Sequence, residues 1–149
     1  MPQSTSPQSN RLRIGRVSLP HHVYLVTMVA ASRAGIFAQH EEARLAARCF
    51  YDATIACHAD TLAFVVMPDH IHWLIQLKAG APLSEIVRRY KARVTRLLGR
   101  PVWQRGFHDH ALRAEEDIVG VARYLVANPL RAGLCDKIGN YPYWNAQWL

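Results

Sequence analysis

His70 and His72 stand two residues apart in the run Val65-Val66-Met67-Pro68-Asp69-His70-Ile71-His72-Trp73-Leu74-Ile75, a spacing that on a β-strand puts both imidazoles on one face. So placed, they can point together at one metal ion. Ile71, Trp73, Ile75 and Leu77 then point the other way and supply a core. Tyr124 and Asn128 form a second pair, four residues apart, which on a helix share one face with Cβ atoms roughly 5 to 6 Å from each other. Two histidines, a carboxamide and a tyrosine could therefore meet in one place.

Each residue also has a plainer reading. Histidine pairs on strands are more often incidental than ligating, a tyrosine beside Val121 and Leu125 is usually core, and Asn128 could simply end a helix before Pro129. Two other histidine pairs compete for the metal role, His21-His22 and His108-Asp109-His110. Adjacent histidines on a strand diverge, which demotes the first; the second has strand spacing in a stretch with weaker strand character. Spacing alone leaves the choice open.

The surrounding elements decide which residues can meet. His22 to Ala30 reads as a strand, Glu41 to Ala56 as a helix, Thr61 to Val66 as a strand, Met67-Pro68-Asp69 as a tight turn and His70 to Leu77 as the returning strand. Gly80 and Pro82 break the chain before a helix over Leu83 to Leu98, whose apolar positions follow helical spacing. Val102 to His110 reads as a fourth strand or an irregular edge. A third helix opens at Glu115-Glu116-Asp117, acids suited to a helix N-terminus, and closes at Asn128-Pro129. The order β-α-β-β-α-β with a further helix predicts an α+β, ferredoxin-like antiparallel sheet of the split βαβ type. Two helices would cover the face carrying Ile71, Trp73 and Ile75, leaving His70 and His72 on the other face beside the added helix with Tyr124.

The chain of 149 residues has the size of one domain. No apolar run approaches the roughly 18 residues of a membrane span. The polar stretch 1–10 reads as a disordered tail rather than an export signal, leaving 11–149 as a single domain. Cys49, Cys57 and Cys135 are odd in number and lack Cys-x-x-Cys spacing; they read as reduced residues of a cytoplasmic protein. The net charge is +7. Its distribution is uneven: no acid stands between Glu85 and Asp109, while Arg88, Arg89, Lys91, Arg93, Arg96, Arg100 and Arg105 do, and Arg11, Arg13 and Arg16 form a second cluster. Such a run is often a solvated face, yet unpaired positive charge on this scale favours a polyanion partner.

The string Met67-Pro68-Asp69-His70-Ile71-His72 followed by an apolar strand resembles the histidine-hydrophobic-histidine (HUH) motif of single-tyrosine transposases of the insertion-sequence type. More of the chain resembles their chromosomal relatives, the REP-associated tyrosine transposases. The matching stretches are Gly15-Arg16-Val17, Tyr24 to Thr27, Val102 to Phe107, His110 to Arg113, Arg123 to Leu134, and Tyr141-Pro142-Tyr143-Trp144.

That resemblance implies metal-assisted transesterification of single-stranded DNA. It makes His70 and His72 metal ligands and Tyr124 the nucleophile, within a Tyr-x-x-x-Asn-Pro pattern. Asn128 stands where relatives place a third ligand, often a longer glutamine; His110 and His108 would lie around the centre. The implied cofactor is Mg²⁺ or Mn²⁺, the product a 5′-phosphotyrosine, and the partners single-stranded DNA and the hairpins of REP palindromes. Arg11, Arg13, Arg16, Arg88, Arg89, Lys91, Arg93, Arg96 and Arg105 would hold phosphates, and Trp103, Tyr141, Tyr143, Trp144 and Trp148 could stack on bases or pack. Monomer and homodimer both stay open. So do two other functions: a regulator that binds DNA without cleaving it, and a metal-dependent phosphodiesterase with no covalent step.

Overall fold

Burial along the central strand explains the layering: Ile71, Trp73 and Ile75 are fully inaccessible, while His70 and His72 between and beside them are partly open. The computed structural model describes residues 19–113 and 116–148. The polar tail 1–10 and the basic cluster Arg11, Arg13 and Arg16 lie outside the described residues.

Five strands form one antiparallel sheet: β1 (Val23–Val29), β2 (Ala59–Met67), β3 (His70–Leu77), β4 (His108–Ala111) and β5 (Trp144–Ala146). Their order is β4-β1-β3-β2-β5. The first four give the arrangement expected of a split βαβ fold, α+β in class. The short edge strand β5, paired through Ala63, Phe64 and Val65, is an addition that the sequence reading does not contain.

One face packs against α1 (His40–Arg48), α2 (Ala53–Ala56) and α3 (Leu83–Leu98). There Val26, Met28, Phe64, Val66, Ile71 and Trp73 meet Ala43, Ala46, Ile86, Tyr90 and Val94. Phe50 stacks between Phe64 and Tyr90, with ring centroids 4.3 and 4.4 Å away. The opposite face is partly covered by α4 (Ile118–Val126), followed by the single turn α5 (Asn128–Arg131). Leu125, Val126 and Ala122 there pack on Val65, Met67 and Leu74.

Three boundaries differ from the periodicity. The helix expected over Glu41 to Ala56 is interrupted: Cys49–Tyr51 tighten into a 3₁₀ turn, and Asp52 restarts the chain by accepting the Thr54 amide (2.9 Å) and hydroxyl (2.7 Å). Cys49 and Cys57 therefore do not share a helix, and all three cysteines are free thiols. The fourth strand begins only at His108, with Trp103 making one isolated bridge to Ala30. The third helix stops at Val126, and Asn128 opens the next turn instead of ending that helix, because Pro129 fits a helix start and not an interior.

In β2 the pairing slips between Thr61 and Ala63. Leu62 is the extra residue of this bulge, so Leu62 and Ala63 both join the α4 side of the core. No helix among the described residues is long and apolar enough to cross a membrane.

Candidate functional site

The strand register builds the site. His72 lies opposite Thr27, Thr27 lies opposite His108 on its other side, and His70 lies opposite Val29. Directly opposed residues share a face. The row His72, Thr27, His108 thus crosses three strands on the α4 side, and the His70 and His72 rings sit edge to face with centroids 4.8 Å apart.

Each of these imidazoles has its Nδ1 occupied. Asp69 Oδ1 is 2.7 Å from His70 Nδ1, and Thr27 Oγ1 is 2.9 Å from His72 Nδ1. The Asp69 carboxylate accepts Nδ1–H from His70 and leaves that ring's lone pair on Nε2; the Thr27 hydroxyl can accept or donate, and the His72 tautomer for which it accepts likewise leaves the lone pair on Nε2. Burial, then the charges of His70 and Arg131, push His72 down to about 4, so it is neutral at pH 7 and free to ligate.

Asp69 is itself held by Arg33, Nε to Oδ2 at 3.1 Å. Burial works against its ionisation, but the hydrogen bond from His70 and the charges of His70 and Arg33 keep the carboxyl below its usual range. Arg33 reaches it from a turn in which Ser32 and Arg33 both have positive φ, 57° and 50°, a conformation that costs these residue types energy. Backbone bonds pin that turn to the β2–β3 connection, Ala30 N–H to Asp69 O at 3.0 Å and Phe37 N–H to Pro68 O at 2.9 Å.

A cavity of about 260 Å³ lies between α4 and the sheet, lined by Leu25, His72, Val121, Tyr124, Leu125, Asn128 and Arg131. Tyr124 is 68% exposed, so its ring is not core. Asn128 Nδ2 donates to Leu125 O at 2.8 Å, which leaves the amide oxygen as the end available to another partner. Arg131 lies over the Tyr124 ring, its guanidinium carbon 3.7 Å from the centroid, and donates to Tyr124 O at 2.8 Å.

Among the described residues no three His, Cys, Asp or Glu side chains could hold a metal together. A third protein donor would come from another residue type, and Asn128 offers a carboxamide oxygen in the cavity His72 lines. Two imidazole nitrogens and an amide oxygen suit a divalent cation.

The other sequence-selected residues are spread more widely. His108 borders a shallow depression with Thr27, Val29 and Arg105, and His110 is exposed and pairs with Glu116 at 3.3 Å. His21 has positive φ and precedes β1. The basic run of α3 lies behind the sheet, in the layer opposite His70 and His72. It is also not unpaired: Glu85 holds Arg88 (2.6 Å) and Arg89 (3.0 Å), and Asp52 holds Arg93 (3.0 Å). Lys91 donates to Gln104 O and Gly106 O and sits over Trp103. The sequence reading misses Asp52 because it is distant along the chain. It also passes over Thr27, Arg33, Asp69 and Arg131 as supports of the site; Asp69, adjacent to His70 in a tight turn, was the legible one.

A five-stranded sheet with a histidine pair on its central strand and a tyrosine-bearing helix across that face narrows the class. Residues 18–114 match the family described as Transposase IS200 like, and the chain belongs to that family. The matched segment includes His70 and His72; Tyr124, Asn128 and Arg131 follow it. The chain is 30% identical over 83 residues to the REP-associated tyrosine transposase of Escherichia coli K12, covering 54% of this chain and 50% of that protein. It is 29% identical over 100 residues to a Haemophilus influenzae protein provisionally named a REP-associated tyrosine transposase, covering 56% and 57%. It therefore spans about half the length of these curated relatives. The solved structure of a REP-associated tyrosine transposase bound to a REP hairpin aligns with a TM-score of 0.69 at 23% identity, over 87% of this chain and 79% of that one. That likeness shows a shared α+β fold.

Proposed function

We propose that the protein cleaves and rejoins single-stranded DNA beside REP-type hairpins, with Tyr124 as nucleophile. The observation that carries this reading is that Tyr124, His72 and Asn128 line one cavity although they come from β3, α4 and α5.

Mg²⁺ or Mn²⁺ held by His70, His72 and Asn128 would supply Lewis acidity to the scissile phosphate and stabilise its developing charge. The chain's own residues do the rest. Asp69 and Thr27 fix the two imidazoles, and Tyr124, exposed at the cavity, is the group that would attack phosphorus. As the Tyr124 Oη–P bond forms, the P–O3′ bond breaks; the phenol proton is lost and the 3′ oxygen gains one. One phosphodiester is exchanged for another, so reversal rejoins strands without ATP.

The test is incubation of the protein with Mn²⁺ and a labelled single strand carrying a REP-type hairpin, followed by a denaturing gel. A band at the mass of protein plus the 5′-phosphorylated fragment, lost with EDTA, is the expected result. Cleavage with no DNA on protein would indicate a phosphodiesterase, and binding without cleavage a regulator.

A further inference from the structure

Arg131 has no assigned task in the reaction above. It is nevertheless the only permanently charged side chain among the described residues lining the cavity, and no carboxylate lines that cavity. A fixed cation beside two neutral donors and a nucleophile leaves the cavity short of one anion.

The guanidinium is held in two ways. Its central carbon lies over the Tyr124 ring, 3.7 Å from the centroid, a separation short enough to require the flat face toward the ring, and Nη2 donates to the Tyr124 carbonyl at 2.8 Å. Stacking uses the flat face and leaves the edge, where the N–H groups point, able to grip an anion in a bidentate manner. In an uninterrupted helix Tyr124 and Arg131 would stand roughly 10 Å apart along the axis. The break between α4 and α5 is what allows Arg131 to close over Tyr124.

We infer that Arg131 binds the phosphate that Tyr124 attacks, and that the stack on the tyrosine ring sets the position of that phosphate relative to the nucleophile. This rests on the reading of Tyr124 as nucleophile. The competing role is purely structural, a clip that fastens α5 to α4.

A binding cycle separates the two. The cleavage position is first read from the wild-type covalent product on a single strand carrying a REP-type hairpin. A second oligonucleotide then carries a neutral methylphosphonate there. Affinities for both are measured by fluorescence anisotropy in a Tyr124→Phe background, which keeps the ring face and prevents chemistry. Removing the phosphate charge is expected to weaken binding about 10- to 100-fold, the scale of a charge-assisted hydrogen bond. Arg131→Gln should cause a similar loss on normal DNA, the two changes together should cost no more than one, and Arg131→Lys should recover part. If the two losses multiply, or if Arg131→Gln lowers the melting temperature while leaving affinity unchanged, Arg131 is only a clip. Absence of any covalent product from the wild type would overturn the functional reading and this inference with it. A covalent product without coupling would overturn the role of Arg131 alone.

Discussion

Thr27 and His72 face each other across the β1–β3 pair with Oγ1 and Nδ1 2.9 Å apart, so a hydroxyl on one strand fixes the ring orientation of a candidate ligand on the next. Thr27→Val keeps the shape and removes the hydroxyl. It should weaken Mn²⁺ binding by about 10- to 100-fold, the range found for groups that orient metal ligands, while Thr27→Ser retains most of it. Electron paramagnetic resonance of free Mn²⁺ measures this directly. Equal affinities for the Val and Ser variants would show that the hydroxyl has no such part.

Face assignment makes a stability prediction. Ile71 is fully buried between its two histidine neighbours, so Ile71→Asp places an unpaired charge in the helical layer and should unfold the protein. His70→Ala should leave a cooperative melt with a midpoint near that of the wild type. Circular dichroism compares the two; a folded Ile71→Asp protein would reverse the layers.

Acid should destabilise the metal-free protein through His72. Its folded pKa is depressed to about 4 from 6.5, so the native state keeps the ring neutral while the unfolded chain takes up a proton below pH 6.5. The stabilisation is full above pH 6.5, is lost progressively as pH falls, and is gone below about 4; at its upper limit it amounts to about 3 kcal/mol. Urea melts at pH 7 and pH 4.5 should show this loss, and His72→Gln should flatten it. An equal pH dependence in the variant would assign the loss to other groups.

The basic residues are expected to divide by layer. Arg105 borders Thr27, Val29 and His108 on the histidine side, whereas Arg88, Arg89 and Arg93 are paired behind the sheet. Arg105→Ala should reduce the slope of log affinity against log salt by about 0.7 to 0.9, one phosphate contact. The combined Arg88→Ala, Arg89→Ala and Arg93→Ala variant should change it by less. A larger loss from α3 would put the hairpin on the helical layer.

Period together with the order of elements was enough for the first four strands and the helical layer behind them, because alternation through His70–Leu77 and helical spacing through Leu83–Leu98 each have one dominant pattern. Tyr124 and Asn128 do line one cavity, but the single helix that their four-residue spacing assumes ends at Val126, and Asn128 belongs to the next turn. What period could not supply was pairing between distant residues. Thr27 reaches His72 only through strand register, Asp52 meets Arg93 only once two helices pack, and Arg131 closes over Tyr124 only because Pro129 breaks the helix. The interruption at Asp52 was hidden for a related reason: its side chain competes with the helix by local hydrogen bonds that apolar periodicity does not register. A strand as short as Trp144–Ala146 carries too little alternation to be read.

The most direct measurement is the identity of the residue joined to DNA. After reaction with Mn²⁺ and a single strand carrying a REP-type hairpin, the covalent product is digested with nuclease and trypsin, and the modified peptide is sequenced by mass spectrometry. The structure predicts a nucleotide on Tyr124, carried by the tryptic peptide 124–131, and none in the Tyr124→Phe protein. A nucleotide on another residue, or a covalent product that survives Tyr124→Phe, would contradict the account.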